Sequence, residues 1–284
     1  MVLLATVFIS TSGPLGRYMS LDPPFVILIR CVIGFFALSF IQLLSKDEKL
    51  TFPLKDKTVL WTGTIMCIHW VLFFYSLQFS TVAIAAVSVF TYPMQTIIIE
   101  AFIQRKRIDK DYLLLSFIVV IGVVLLNPTL SLKHDHTLGI IFGLLSGTML
   151  ALRNIYSKFL LRKYSPNTTY LSQVLITCII LLPFAGRETW NLLWENRIPM
   201  LALGIITTTL GHLLMMRSFK YFSASEVGLL ISGQPISAMI IGFLLLGEIP
   251  GKEVIIGGII ILIAVVASFR KIKLQTTEKA KPIL

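Results

Sequence analysis

The most constraining feature of this chain is the length of its apolar runs. Stretches such as PPFVILIRCVIGFFALSFIQLL and EVIIGGIIILIAVV carry at most one charge each. A helix crosses a hydrocarbon core of about 30 Å with about 20 such residues. Lipid admits only helices or closed barrels, because no other arrangement satisfies the backbone internally. Barrel strands alternate apolar and polar residues, whereas these runs are continuous. The expected fold class is an all-α membrane protein. Charged residues are 14% of the chain, too few for a water-soluble surface, which needs roughly 25%.

Ten segments are expected to cross the bilayer: 2–19, 24–44, 58–79, 82–103, 112–130, 138–158, 167–185, 198–219, 225–246 and 252–269. With the N-terminus inside, the inner loops and tail hold 18 Lys and Arg residues and the outer loops hold 5. This asymmetry places both termini in the cytoplasm. The first segment lacks a basic leader and makes a poor signal peptide. The polar tail, 271–284, is expected to be disordered. The net charge of +11 is spread over short loops, a membrane pattern that offers no groove for nucleic acid. Cys31, Cys67 and Cys178 sit in apolar runs without paired spacing and read as small hydrophobes.

A shift of 142 residues lays VSVFTYPMQTIIIE (87–100) over LLISGQPISAMIIG (229–242), with Pro93 on Pro235. Ser76 then falls on Ser218, Phe79 on Tyr221 and Asp111 on Glu253. The chain therefore reads as two five-helix repeats, 1–130 and 138–270. An odd number of spans sets the second upside down relative to the first. Proline removes a backbone donor and interrupts the helix. In lipid, freed polar backbone is tolerated only where it lines protein or a watery cavity. Inverted repeats with interrupted helices at matching positions point to a transporter with a midplane site.

The second half, SASEVGLLISGQPISAMIIGFLLLGEIPGKEVIIGGIIILIAVV, resembles the EamA-type module of the drug/metabolite transporter superfamily. The resemblance rests on its small-residue opening, Pro235, the Leu246-Gly247-Glu248 ending and the glycine-bearing last helix. The first half matches through Arg30 and Pro93 but has Arg105-Lys106 where the second has Gly247-Glu248. The resemblance implies a ten-helix carrier of small metabolites, with the fifth and tenth helices as outer scaffold. It also implies a bracing or gating role for Arg30. Glu248, at the outer end of the ninth span, is expected to anchor the following turn.

Polar groups at membrane depth are costly and face the bundle interior. His69 and His212 lie at mid-depth, and under the shift His212 falls on Trp70. Either imidazole suits proton carriage or a substrate carboxylate, or rests neutral on a neighbouring hydroxyl. Thr62, His69 and Ser76 share one helix face, as do Gly204, Thr208 and His212. Ser88, Tyr92, Gln95 and Ile99 form a stripe beside Pro93; Gln234 and Ser237 flank Pro235. The amides of Gln95 and Gln234 suit a polar ligand or a bond between helices. Trp70, Tyr75 and Tyr92 offer aromatic faces. Asn154 is a candidate pathway residue, while Arg153 and Arg30 are long enough to snorkel. Glu100 is expected to pair with Arg105, and Glu226 lies near the inner end of the ninth span.

The expected function is a secondary transporter, exporting small organic metabolites such as amino acids or drug-like compounds. No G-x-x-x-x-G-K-[ST] sequence is present to bind nucleotide. The alternatives are an intramembrane enzyme and a non-transporting scaffold. The enzyme is disfavoured by the lack of H-E-x-x-H and G-x-S-x-G. His134-Asp135-His136, two imidazoles on a short loop, is too sparse for a metal site. No cofactor or metal is expected. The partners are a small-molecule substrate and the lipid bilayer of a bacterial cytoplasmic membrane, with the protein a monomer or a homodimer.

Overall fold

A computed structural model of the chain describes residues 1–44, 50–103, 105, 110–126, 135–186, 190–222, 224–231 and 233–279. His134, Lys106 and the last residues of the tail lie outside these. Among the described residues every regular element is helical.

The chain opens with α1 (Val2–Ser10) and α2 (Ser12–Met19), followed by α3 (Pro23–Leu44) and α4 (Lys57–Phe79). Next come α5 (Val82–Val89), α6 (Tyr92–Ile103) and α7 (Lys110–Leu126). The second part runs through α8 (Asp135–Leu160), α9 (Pro166–Leu181), α10 (Trp190–Glu195) and α11 (Arg197–Ala202). A π-helical stretch, Leu203–Gly211, joins α11 to α12 (His212–Ser218). The chain ends in α13 (Ala224–Leu230), α14 (Gln234–Leu246) and α15 (Lys252–Lys279). Six described segments are long and apolar enough to cross a membrane: 23–44, 57–79, 82–103, 136–160, 166–184 and 197–218. The protein is a multi-pass, all-helical membrane protein.

Local chemistry sets the helix boundaries. Asp56 caps α4, its carboxylate accepting from the Thr58 N–H at 2.9 Å. Thr81 caps α5 and Ser165 caps α9 in the same way. Pro14 has no N–H for the Ser10 carbonyl, and the first expected segment divides at Thr11 into α1 and α2. Gly247, at φ +67°, terminates α14 in the left-handed conformation that glycine adopts without strain.

Two expectations need correction. Residues 271–279, expected to be disordered, continue α15; Lys, Leu, Gln and Glu extend an existing helix at little cost. The loop expected after 185 contains the short helix α10.

The bundle is organised around α8, which lies along α4 and also meets α5 and α6. Gly139, Gly143 and Gly147, spaced by four, make this approach close. A Cβ on Gly139 would fall 2.4 Å from Ser80 Cβ, and one on Gly147 would fall 2.9 Å from the Val89 carbonyl oxygen. α9 packs on α3 and α4, the π-helical stretch packs on α3 and α1, and α7 pairs with α15.

Candidate functional site

Two helices are interrupted near the middle of the bundle. α5 gives way to α6 at Phe90 and Thr91, and α13 ends at Leu230 before α14 starts at Gln234. Pro93 and Pro235 occupy the first turns of α6 and α14, where an N–H is dispensable, and both are buried in protein. The Val89 carbonyl, which would have accepted from residue 93 in an unbroken helix, faces Gly147. At the second break the Gln234 N–H donates to the Ile231 carbonyl at 2.9 Å, while Ser10 Oγ donates to the Gln234 carbonyl at 3.2 Å. The breaks also meet: a Cβ on Gly228 would lie 3.3 Å from Tyr92 Oη and 3.5 Å from Pro93 Cβ.

Between them lies a cavity. Phe90 and Ile231 line it from the two breaks, and Tyr92 and Gln234 from the helices that follow. His69 and Trp70 of α4, His212 of α12 and Ser12 of α2 complete its polar and aromatic wall.

Behind that wall stands a file of charged and aromatic groups. The Arg30 guanidinium lies over the Trp70 ring; Trp70 meets His212 at 5.2 Å and His212 meets Tyr170 at 6.1 Å between centroids. The Arg153 guanidinium lies 5.6 Å from the Tyr170 ring. Neither arginine snorkels, for both are at most 1% exposed. Arg30 Nε donates to Thr208 Oγ1 at 2.8 Å and Nη1 to Ser12 Oγ at 3.2 Å. Arg153 donates twice to Gln173 Oε1, at 3.1 and 2.9 Å.

The π-helical turn makes the Thr208 contact possible. Thr208 Oγ1 donates to Leu203 O and Thr209 Oγ1 to Gly204 O, each five residues back. The Thr208 carbonyl accepts from Tyr170 Oη at 2.7 Å.

Five of the residues singled out in the sequence, His69, Trp70, Tyr92, His212 and Gln234, come together around the cavity. Three others lie elsewhere. Tyr75 packs on Phe142, Gln95 donates to Thr91 Oγ1 at 2.8 Å, and Asn154 is buried beside Arg153. Glu248 sits at one end of the bundle. Its Oε2 accepts from the Val82 N–H at 2.9 Å, and its Oε1 is 3.5 Å from Arg17 Nε. Sequence reasoning missed Ser12, Tyr170 and Gln173. Thr208, which the sequence groups on one face with Gly204 and His212, turns its hydroxyl to Arg30.

His69 has a fixed tautomer. Ser146 Oγ donates to the His69 carbonyl at 2.9 Å, while both Ser146 oxygens stand within 2.9 Å of His69 Nδ1. Nδ1 is therefore the donor, and Nε2 is left as an acceptor. Chemically the wall offers rings for stacking, imidazoles for hydrogen bonding and buried positive charge.

Comparison with known proteins bears on the whole chain. The model of the EamA-like transporter family matches residues 1–127 and 137–270. An uncharacterised transporter of Archaeoglobus fulgidus is 26% identical over 279 residues, 95% of each chain. The threonine/homoserine exporter RhtA of Escherichia coli K12 is 27% identical over 180 residues, 62% of this chain and 59% of RhtA. A solved crystal structure superposes with a TM-score of 0.65 at 15% identity, covering 96% of each chain, a likeness of fold.

Proposed function

The chain belongs to the EamA-like transporter family, and from that premise we propose that it is a secondary transporter exporting small organic metabolites, such as amino acids, by alternating access. The observation that carries this reading is the cavity lined from two broken helices, each with a proline in the first turn of its second half. Discontinuous helices meeting at mid-depth are how carriers present backbone and side-chain polar groups to a substrate.

In this reading the ten spans form two inverted five-helix repeats, 1–130 and 138–270, with both termini and the 271–284 tail inside. The fifth and tenth spans are the outer scaffold. The pairing of α7 with α15 supports this arrangement, and a Cβ on Gly122 would stand 2.6 Å from Ile261 Cγ1. The 18-to-5 distribution of basic residues supports the orientation. His69, Trp70, Tyr92, His212 and Gln234 are the proposed substrate contacts. Gln95 and Asn154 support the wall from behind. The exporter name of RhtA supports efflux of amino acids.

The test is purification, reconstitution into liposomes and uptake of a mixed metabolite pool containing threonine and homoserine, under two pH gradients. Concentrative or exchange uptake of at least one compound is expected, reduced by His69→Ala without loss of protein yield. Liposomes that match empty vesicles for every compound would sink the reading.

A further inference from the structure

Resting on the transporter reading, we propose that the cavity holds its substrate by a carboxylate, seated at Ser12 and His212 in front of Arg30. Among the described residues, the buried set contains two arginines and neither aspartate nor glutamate. The ion pairs of Arg17 with Glu248 and of Lys163 with Asp56 involve neither arginine. A buried cation without a counter-ion is unfavourable, and removing it from water is compensated only by an anion and good hydrogen bonds. Arg30 meets half of that requirement: Nε and Nη1 have acceptors, Trp70 supplies a π face, and Nη2 has no acceptor.

The geometry selects one end of the cavity. Ser12 Oγ accepts from Arg30 Nη1, so its own O–H turns away from the guanidinium. Ser12 also lines the cavity, as does His212, whose buried Nδ1 has no partner. Both residues thus line the same cavity, Ser12 with a hydroxyl free to donate and His212 with a ring that donates from Nδ1 in the tautomer protonated there. The Arg30 charge stands behind Ser12. A carboxylate takes up such donors, and the charge makes each hydrogen bond stronger than a neutral one. His69 offers the reverse. Its Nδ1 proton is engaged by Ser146, and the remaining acceptor nitrogen repels a carboxylate while suiting an ammonium or amide N–H. The cavity is therefore polar in one direction, and a neutral or purely cationic substrate leaves Arg30 uncompensated.

The experiment uses the purified full-length chain in detergent. Its thermal midpoint is read against amino acids and simple mono- and dicarboxylates, each paired with its methyl ester. At least one free acid is expected to raise the midpoint while its ester does not. Arg30→Gln is expected to weaken that acid about tenfold or more, as loss of a charged hydrogen-bond partner does. Ser12→Ala removes a single hydroxyl and keeps the test alive should Arg30→Gln fail to fold; it is expected to weaken the acid in the same direction. A panel in which no free acid acts, or in which esters or cations act as well as acids, overturns the inference. A cation or neutral compound that binds and is also carried into liposomes overturns it while leaving the transporter reading intact. A free acid that binds through Arg30, with every compound of the panel matching empty vesicles in uptake, supports the carboxylate seat and removes the transporter reading.

Discussion

The Arg30 guanidinium carbon lies 4.3 Å from the centroid of the Trp70 ring. One face of Trp70 therefore covers a buried charge, and the residue also forms part of the cavity wall. Anything that moves this indole changes the cavity's shape and the environment of Arg30 together. The contact joins α3 to α4, while Thr208 ties the same guanidinium to the π-helical stretch. Arg30 is thus a brace between three segments and a source of positive potential at the cavity.

Trp70→Leu removes the cation–π contact and leaves unfilled volume. It is expected to destabilise the protein by about 2–4 kcal/mol, combining a desolvated cation–π term with the cost of a large-to-small core change. Trp70→Phe keeps a ring and is expected to lose less than half as much. Thermal unfolding of the two variants in one detergent checks the order. Equal losses would mean that Arg30 takes no stabilisation from the ring.

Gly147 faces the carbonyl that the first helix break leaves free. A Cβ there meets Val89 O at 2.9 Å, a backbone atom with little room to retreat. Gly147→Ala is expected to destabilise by about 1–3 kcal/mol, the usual range for overpacking. Gly186, with nothing within 4 Å, is the control, and Gly186→Ala is expected to stay within about 0.5 kcal/mol of the parent. Equal midpoints for the two variants would show that α8 yields at the break.

How much of this was legible beforehand depends on the scale of the signal. Membrane character and helicity follow from runs that no other structure tolerates in lipid. The mid-depth polarity of His69 and His212 marked them as inward-facing, and both line the cavity. Periodicity names a face without naming what that face meets. Gln95 and Tyr92 share a stripe on α6, yet Tyr92 lines the cavity while Gln95, one turn further on, donates to Thr91 and to the Leu144 carbonyl of α8. The partners of Arg30 lie 18, 40 and 178 residues away along the chain, distances at which local sequence rules say nothing. The Gly139, Gly143, Gly147 spacing was a readable mark of close helix approach, and the π-helical turn left its only trace in the run Thr207-Thr208-Thr209.

Asp56 links the start of α4 to the turn between α8 and α9. Its carboxylate accepts from the Thr58 N–H and also meets Lys163 at 3.3 Å and Tyr164 Oη at 3.2 Å. The Thr58 hydrogen bond, aided by Lys163 and Tyr164, holds its pKa below the usual carboxylate value. A carboxyl depressed in the folded state stabilises the fold above its unfolded pKa, about 3.9. That contribution is lost as pH falls through the folded value. Asp56→Asn is therefore expected to lower the midpoint at pH 7 and to converge with the parent below pH of about 4. Midpoints measured from pH 3 to pH 8 check this, and a gap of constant size would show that the charge is not involved.

Glu248 closes one end of the bundle by two contacts of different kinds. Its bond to the Val82 N–H caps α5, and a lost cap costs about 1 kcal/mol. Its approach to Arg17 is a partly exposed ion pair, with side chains 37% and 23% accessible, worth less than that. Glu248→Gln keeps an oxygen for the cap and removes the charge, whereas Glu248→Ala removes both. In the proposed orientation this end faces outward, and alternating access requires it to part. Ala86 lines the cavity, so Ala86→Cys, in a background lacking Cys31, Cys67 and Cys178, reports opening through labelling by an impermeant maleimide added outside. Weakening the closed state by about 1 kcal/mol raises the open population about fivefold when that population is small. Labelling is expected to quicken by about that factor in Glu248→Ala and by less in Glu248→Gln. Identical rates in all three proteins would show that Arg17 and Glu248 do not hold this end shut.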